Sequence, residues 1–312
     1  MVAPFYSRRL LMGALDGKVV AITGGAGKLG RASALGLAQE GAKLLINDVD
    51  KPSLDRLLAE LRAAGGHAVA NTDDVFSWQG AGRAIDACVA AYGRIDGLLN
   101  CAHRYKHGAL WEMDQDAIDV TSQAHVNGHF ATAHHAARHM IKQRSGSILT
   151  VTSVALHGIP GRSTYAAVKG AVVSATCSWA LELAEFGVRV NAVSPVFQLR
   201  PSHNKPTMHV RWRYTFDAKD TSPPVFDMPT AESNVPIVTY LLSDESRWVT
   251  GQVIFLAGDT LALMQQPQYR FAFQPQGWSF NDLKLHFRET IGADLAQPGL
   301  GHPVYRWYNG VG

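Results

Sequence analysis

Short apolar, β-branched runs alternate along this chain with longer segments whose apolar residues recur at helical spacing. Residues 18–23, 42–48, 68–71, 95–100, 147–153, 188–193 and 252–256 read as strands. Residues 31–39, 54–64, 79–92, 114–143, 163–183 and 237–242 read as helices. Gly65-Gly66 and Gly93 close two of these helices. Strands that alternate with helices predict an α/β fold: one parallel sheet with helices on both faces, in a single domain.

Two segments break the alternation. Residues 197–236 carry Pro201, Pro206, Pro223, Pro224, Pro229 and Pro236 with little periodicity, and read as a lid over a site. Residues 261–312 are rich in aromatics, including Tyr269, Phe271, Phe273, Trp278, Phe280 and Phe287. Ser279 and Asp282 predict a capping box that opens a helix to about residue 291, with Phe280, Leu283 and Phe287 on one face. Such a tail calls for a cover, which is the substrate cleft, a neighbouring subunit, or both. Residues 1–15 hold Arg8-Arg9 before Leu10-Leu11-Met12; the apolar part is too short for a signal sequence, and a loose arm is expected. The catalytic domain is then 16–260.

The 312 residues carry a net charge of +3 with 46% hydrophobic residues, which allows a large core. No basic helix with interleaved aromatics points to nucleic acid. No apolar run is long enough to span a bilayer. Cys88, Cys101 and Cys177 make no paired framework and fit a reducing compartment, so a cytoplasmic location is expected.

Chemistry enters at three places. Gly24-Gly25-Ala26-Gly27-Lys28-Leu29-Gly30 lies between the first strand and the first helix. Strand, glycine turn and helix form a phosphate cradle, because glycines admit the backbone and the helix N-terminus supplies free N–H groups. Lys28 either adds charge at the pyrophosphate or points to solvent. Asp48, at the end of the second strand, suits a ribose diol and repels a 2′-phosphate. Tyr165 and Lys169 sit one helical turn apart, where an ammonium favours the phenolate and suits Tyr165 to acid–base work. Ser153 ends a hydroxyl-rich strand at the edge where ligands bind in open sheets.

Together these residues resemble the classical short-chain dehydrogenase/reductase family over roughly residues 16–258, with glycines at 24, 27 and 30 in the spacing of its extended branch. The resemblance implies a Rossmann-type doubly wound sheet whose early strands order 3-2-1-4-5-6. It implies catalysis by Asn127, Ser153, Tyr165 and Lys169, with Asn127 holding a water in the proton relay. It places Gly24, Gly27, Lys28, Leu29, Gly30, Asp48, Asp74, Val75, Asn100, Ala102, Tyr165, Lys169, Pro195 and Val196 along the dinucleotide. It also implies a homo-oligomer, of tetrameric form. Cys101 and His103 depart from the family's N-N-A-G pattern, Val196 from its Pro-Gly, and Arg200 from a common threonine.

The expected reaction interconverts a secondary alcohol and a ketone with NAD, and NADP is disfavoured by Asp48. The expected substrate is a cyclic or aromatic hydroxy compound or a steroid-like ketone. An anionic substrate or acyl thioester is the alternative, because His103, Arg104, Lys106, His107, His157, Arg162 and the lid's Arg200, His203, Lys205, His209, Arg211 and Arg213 surround the mouth. A non-catalytic nucleotide sensor is the alternative of another class. His125/His129 and His135/His139 have helical metal spacing, but no carboxylate or cysteine completes a set. They read as an interface or a solvated face, and no metal is expected.

Overall fold

The computed structural model describes residues 13–198, 229–265, 269, 271–275 and 277–291. The chain runs through β1 (Val19–Thr23), α1 (Lys28–Gln39), β2 (Lys43–Asn47), α2 (Lys51–Ala63), β3 (His67–Asn71), α3 (Trp78–Tyr92) and β4 (Gly97–Asn100). It continues through α4 (Gln115–Ser122), α5 (Gly128–Gln143), β5 (Gly146–Val151), α6 (Ser163–Leu183) and β6 (Val188–Pro195). The last elements are α7 (Val235–Leu242), β7 (Val253–Ala257), β8 (Thr260–Leu263) and α8 (Phe280–His286).

The strands form one sheet in the order β3-β2-β1-β4-β5-β6-β7-β8. The predicted order 3-2-1-4-5-6 is present and is extended by two strands. Every pairing from β3 to β7 is parallel, while β8 turns back antiparallel on β7. The short return β8 falls where the sequence reading had already begun the tail.

Alternation along each strand builds two cores. Val20 and Ile22 face Leu37, Leu57 and Leu241 on α1, α2 and α7. Val19 and Ala21 face Ile85, Ala136 and Leu183 on α3, α5 and α6. The sheet is thereby dry on both faces, and its C-terminal edge is left to carry chemistry.

The single helix expected over 114–143 is two helices joined by a π-helical turn, Gln123–Asn127. A wider turn at this point rotates the side chains that follow it, and such bulges cluster at functional sites. The fifth strand ends earlier than predicted. Ser153 lies past it and caps a single 3₁₀ turn, Val154–His157, by accepting from Ala155 N–H.

At the start of the chain Leu15 is fully buried and the Glu40 carboxylate accepts from Ala14 N–H, so the chain is anchored from there; the rest of the arm lies outside the described residues. The Ser279–Asp282 capping box is present, but its α-helix stops at His286. Tyr269, Phe271, Phe273 and Phe280 are each more than 80% exposed, so these rings do not cover the chain's own cleft. Most of the predicted lid and the end of the tail lie outside the described residues.

Candidate active site

The phosphate cradle forms where β1 gives way to α1. Gly24 adopts φ +65°, and a Cβ there would stand 2.7 Å from Ala102 Cα. A Cβ on Gly30 would stand 2.3 Å from the Gly24 carbonyl oxygen. Only glycine fits either place. Gly27 caps α1 without a side-chain bond, so no side chain occupies the positive end of the helix. This cradle fits a dinucleotide pyrophosphate. Leu29 turns inward and packs in the core, leaving its backbone to the cradle. Lys28 lies exposed, as the solvent reading expects, and its ammonium also donates to the Gln198 carbonyl at 2.7 Å, joining α1 to the chain beyond β6.

Asp48 braces the same turn. Its Oδ2 accepts from Ala26 N–H at 2.9 Å and its Oδ1 from Asp50 N–H at 3.0 Å. The carboxylate stays partly exposed beside the cradle. Asp74 accepts from Phe76 N–H, and Val75 is buried against Ala81, Ala84, Ala102 and Ala131. Asn100 is a strut rather than a contact surface. Its Nδ2 donates to His129 O and Thr132 Oγ1, and its Oδ1 accepts from Thr23. Thr23 Oγ1 in turn accepts from Cys101 and Ala102 N–H. Beyond β6, Val196 gives its N–H to Leu256 and its carbonyl to Asn234, so both backbone groups next to Pro195 are spent inside the protein.

Ser153, Tyr165 and Lys169 come together at the end of β5. The Ser153 hydroxyl lies close enough to the Tyr165 phenol to lower its pKa by itself. Lys169 is buried, and its ammonium donates to the Val151 carbonyl at 2.6 Å. Its Nζ lies 5.5 Å from the centre of the Tyr165 ring. The sequence had implied that Lys169 brings Tyr165 down. In this chain burial dominates both groups: it raises Tyr165 to about 12, with Tyr105 adding to the rise, and lowers Lys169 to about 7.

Asn127 is not part of this group. It is exposed and lines a groove with Phe76, Trp78, Val126, Phe130 and Ala131. His125 faces the other way. It is fully buried, with its ring centre 5.5 Å from that of Tyr165, edge to face. His129 is buried too, against the Ala102 carbonyl at 3.4 Å. The first histidine pair is therefore neither an interface nor a solvated face; it backs the site. Burial foremost, then the nearby Lys169, holds both rings well below the usual imidazole pKa. Among the described residues no cluster of three or more metal-binding side chains forms.

The sequence reading also missed Tyr105, whose ring lies 4.6 Å from Tyr165 and 4.7 Å from His107. The basic mouth is less charged than its sequence. Lys106 pairs with Asp116, and Arg104 stacks over Phe76. Burial and the neighbouring Arg162 push His107 down to about 4, so it is neutral. The lid's basic residues, Arg200 among them, lie outside the described residues.

A family model described as short chain dehydrogenase matches residues 18–205. A 3-oxoacyl-[acyl-carrier-protein] reductase of Thermotoga maritima is 36% identical over 245 residues, 78% of this chain and 98% of that protein. A 1,6-dihydroxycyclohexa-2,4-diene-1-carboxylate dehydrogenase of Acinetobacter baylyi is 32% identical over 77% of this chain and 95% of its own. Among solved structures, a short chain dehydrogenase from Mycobacterium avium superposes with a TM-score of 0.77 at 28% identity, covering 94% of this chain and all of that one. An NAD⁺-bound xylitol dehydrogenase gives 0.72 at 28% identity, over 78% of this chain and 99% of that one. The chain belongs to the short-chain dehydrogenase/reductase family. Members of this family are oxidoreductases that use nicotinamide cofactors.

The buried lysine yields a stability prediction. Lys169 is lowered from 10.5 to about 7 by burial, so the folded chain holds this proton less tightly than the unfolded chain. The penalty is complete below the folded value and vanishes as pH rises through the unfolded one. Lys169→Met is therefore expected to raise the urea midpoint at about pH 6 and to lose that gain by about pH 10, less about 1–3 kcal/mol for the orphaned Val151 carbonyl. Parallel urea titrations of both proteins across this range check it.

Proposed function

We propose that this protein interconverts a secondary alcohol and a ketone with NAD(H). The observation that carries the reading is the Ser153 hydroxyl set beside the Tyr165 phenol, with the buried Lys169 ammonium 5.5 Å from the Tyr165 ring, at the sheet edge next to the glycine cradle. The bound dinucleotide supplies or accepts the hydride. In reduction Tyr165 donates its phenolic proton to the carbonyl oxygen, and Ser153 hydrogen-bonds that oxygen as charge develops on it. A phenol raised to about 12 is protonated at neutral pH, which is the state reduction needs. Lys169 holds the end of β5 to α6 and supplies positive charge at the inner wall when protonated. The convergence of Ser153, Tyr165 and Lys169 at the end of β5 argues for an enzyme over a nucleotide sensor that has lost turnover.

Asp48 supports NAD over NADP, since a carboxylate bracing the glycine turn would repel a 2′-phosphate brought beside it. For the substrate we favour a neutral cyclic or aromatic hydroxy compound, or a steroid-like ketone. Tyr105 and His107 build an uncharged wall of rings beside Tyr165, and Lys106 is already paired. The acyl-carrier reductase and the ring carboxylate dehydrogenase among the relatives support the second reading, an anionic substrate or acyl thioester. Exposed Leu110, Trp111, Ile118 and Phe130 near α4 and α5 support a homo-oligomer, with a tetramer as the expected form. Cys88, Cys101 and Cys177 are thiols rather than disulfides, which supports a reducing, cytoplasmic location.

Three outcomes test this. Tyr165→Phe is expected to bind NAD as the wild type does and to lose about 10²–10⁴ in turnover; near-normal turnover ends the proposal. The wild type should show the higher kcat/KM with NAD, and Asp48→Ala should narrow the gap to NADP; a wild-type preference for NADP overturns the Asp48 argument. A ring ketone bearing a carboxylate should be a poorer substrate than its methyl ester, with little salt dependence. A strong carboxylate preference that weakens as salt rises would establish the anionic reading instead.

A further inference from the structure

His125 is a buried imidazole that the mechanism above leaves unused. Its ring is fully buried, and neither nitrogen has a hydrogen-bond partner. Each buried polar group left unpaired costs about 1–3 kcal/mol. A chain that keeps two on one ring beside its acid–base tyrosine gains something from them in the working state.

The surroundings say what. His125 and Asn127 lie two positions apart on a helical turn, so their side chains point to nearly opposite sides. The inward one is His125. It meets Tyr165 edge to face at 5.5 Å, and Lys169 on the same helix is close enough to oppose its protonation. From α5 it meets His129 at 5.8 Å. From the loop after β4 it meets His103, stacked at 6.5 Å. Cys101 of that loop backs onto Lys169, and Tyr105 packs on Tyr165. His103 is exposed. A line of rings thus runs from the phenol, through a buried imidazole, to one in contact with solvent.

We propose that His125 and His103 form the proton outlet of Tyr165, with His125 in the role that the sequence had given to Asn127. This rests on the acid–base role of Tyr165. When an alcohol is oxidised, its O–H bond breaks, the proton goes to the tyrosine oxygen, and the carbinol C–H electron pair leaves as hydride to the nicotinamide. The tyrosine proton must then reach solvent. A neutral imidazole takes a proton on one nitrogen and releases another from its second, so one proton leaves per alcohol oxidised and the ring ends unchanged. Both His125 nitrogens are closed to water in the free chain, so each transfer needs the ring to turn or a water to enter during turnover. Reduction runs the same path inward. His125 and His103 touch neither hydride nor carbonyl; they are positioning residues that act through Tyr165.

The test compares His125→Leu, His103→Phe and Asn127→Leu with the wild type. His125→Leu should lower kcat by about tenfold or more, within the range general acid–base assistance supplies, while KM stays within about threefold. Its turnover should rise with the concentration of imidazole buffer, and its kcat–pH profile should shift, because external bases now carry the proton. His103→Phe keeps the stack and should show a smaller loss with the same buffer dependence. Should His125→Leu fail to fold, the surface variant still decides. In the free wild-type protein the His125 ring N–H, followed by NMR, should exchange with solvent faster than in His103→Phe. Wild-type pH profiles without buffer dependence in the folded variants, unchanged ring exchange, or a loss carried by Asn127→Leu instead would overturn the inference. If Tyr165→Phe is fully active, the proposed function itself fails. If that variant is inactive while both histidine variants behave as wild type, only the outlet fails.

Discussion

The site depends on holding a lysine in a place where its charge is costly. Lys169 is 2% exposed, and its ammonium is tied to the Val151 carbonyl at the very end of β5. The Thr152 hydroxyl bonds back to the Lys169 carbonyl, so helix and strand end are stitched in both directions. That stitch places Tyr165, one turn earlier, over Ser153 just beyond the strand. The desolvation that drives Lys169 down also drives Tyr165 up, because both sit behind the same wall of rings. The pocket thus holds a protonated phenol and an amine near its midpoint at neutral pH, a pair in which small changes of charge move protons.

The wall itself depends on a local irregularity. A regular helix through Gln123–Asn127 would advance each side chain by the same angle, but the π turn adds a residue and resets the face that follows. His125 and His129 then back the site, whereas Asn127 and Phe130 turn outward. Asn100 fixes this arrangement from the sheet, since its amide holds the His129 carbonyl and the Thr132 hydroxyl. The dinucleotide cradle is set independently by the contact of Gly24 with Ala102 and of Gly30 with Gly24. Thr23, bonded to both Asn100 and the loop after β4, links the two halves of the site.

What the sequence made legible was what depends on near neighbours. The glycine turn, the Tyr165–Lys169 spacing and the strand–helix alternation each carry their meaning within a few residues, and each is found in the structure. What depends on distant partners was hidden. Lys106 reads as a free cation until Asp116 folds back on it, and Arg104 until it reaches Phe76. Asn127 matched a motif in line, but a π turn is invisible to a count that assumes a regular helix. Tyr165 is raised rather than lowered because burial, a property of the whole fold, outweighs its neighbours that lower it. The tail's aromatics showed a need for cover without showing that their own cleft would leave them exposed.

The most direct measurement follows the ε-amino group of Lys169 by heteronuclear NMR as the free protein is titrated with base. The account predicts half-titration near 7, as burial behind Tyr165 and the Val151 carbonyl requires. A Lys169 that stays protonated to its usual value of 10.5 would contradict it, for the lysine would then be solvated and the site would not be the dry pocket described.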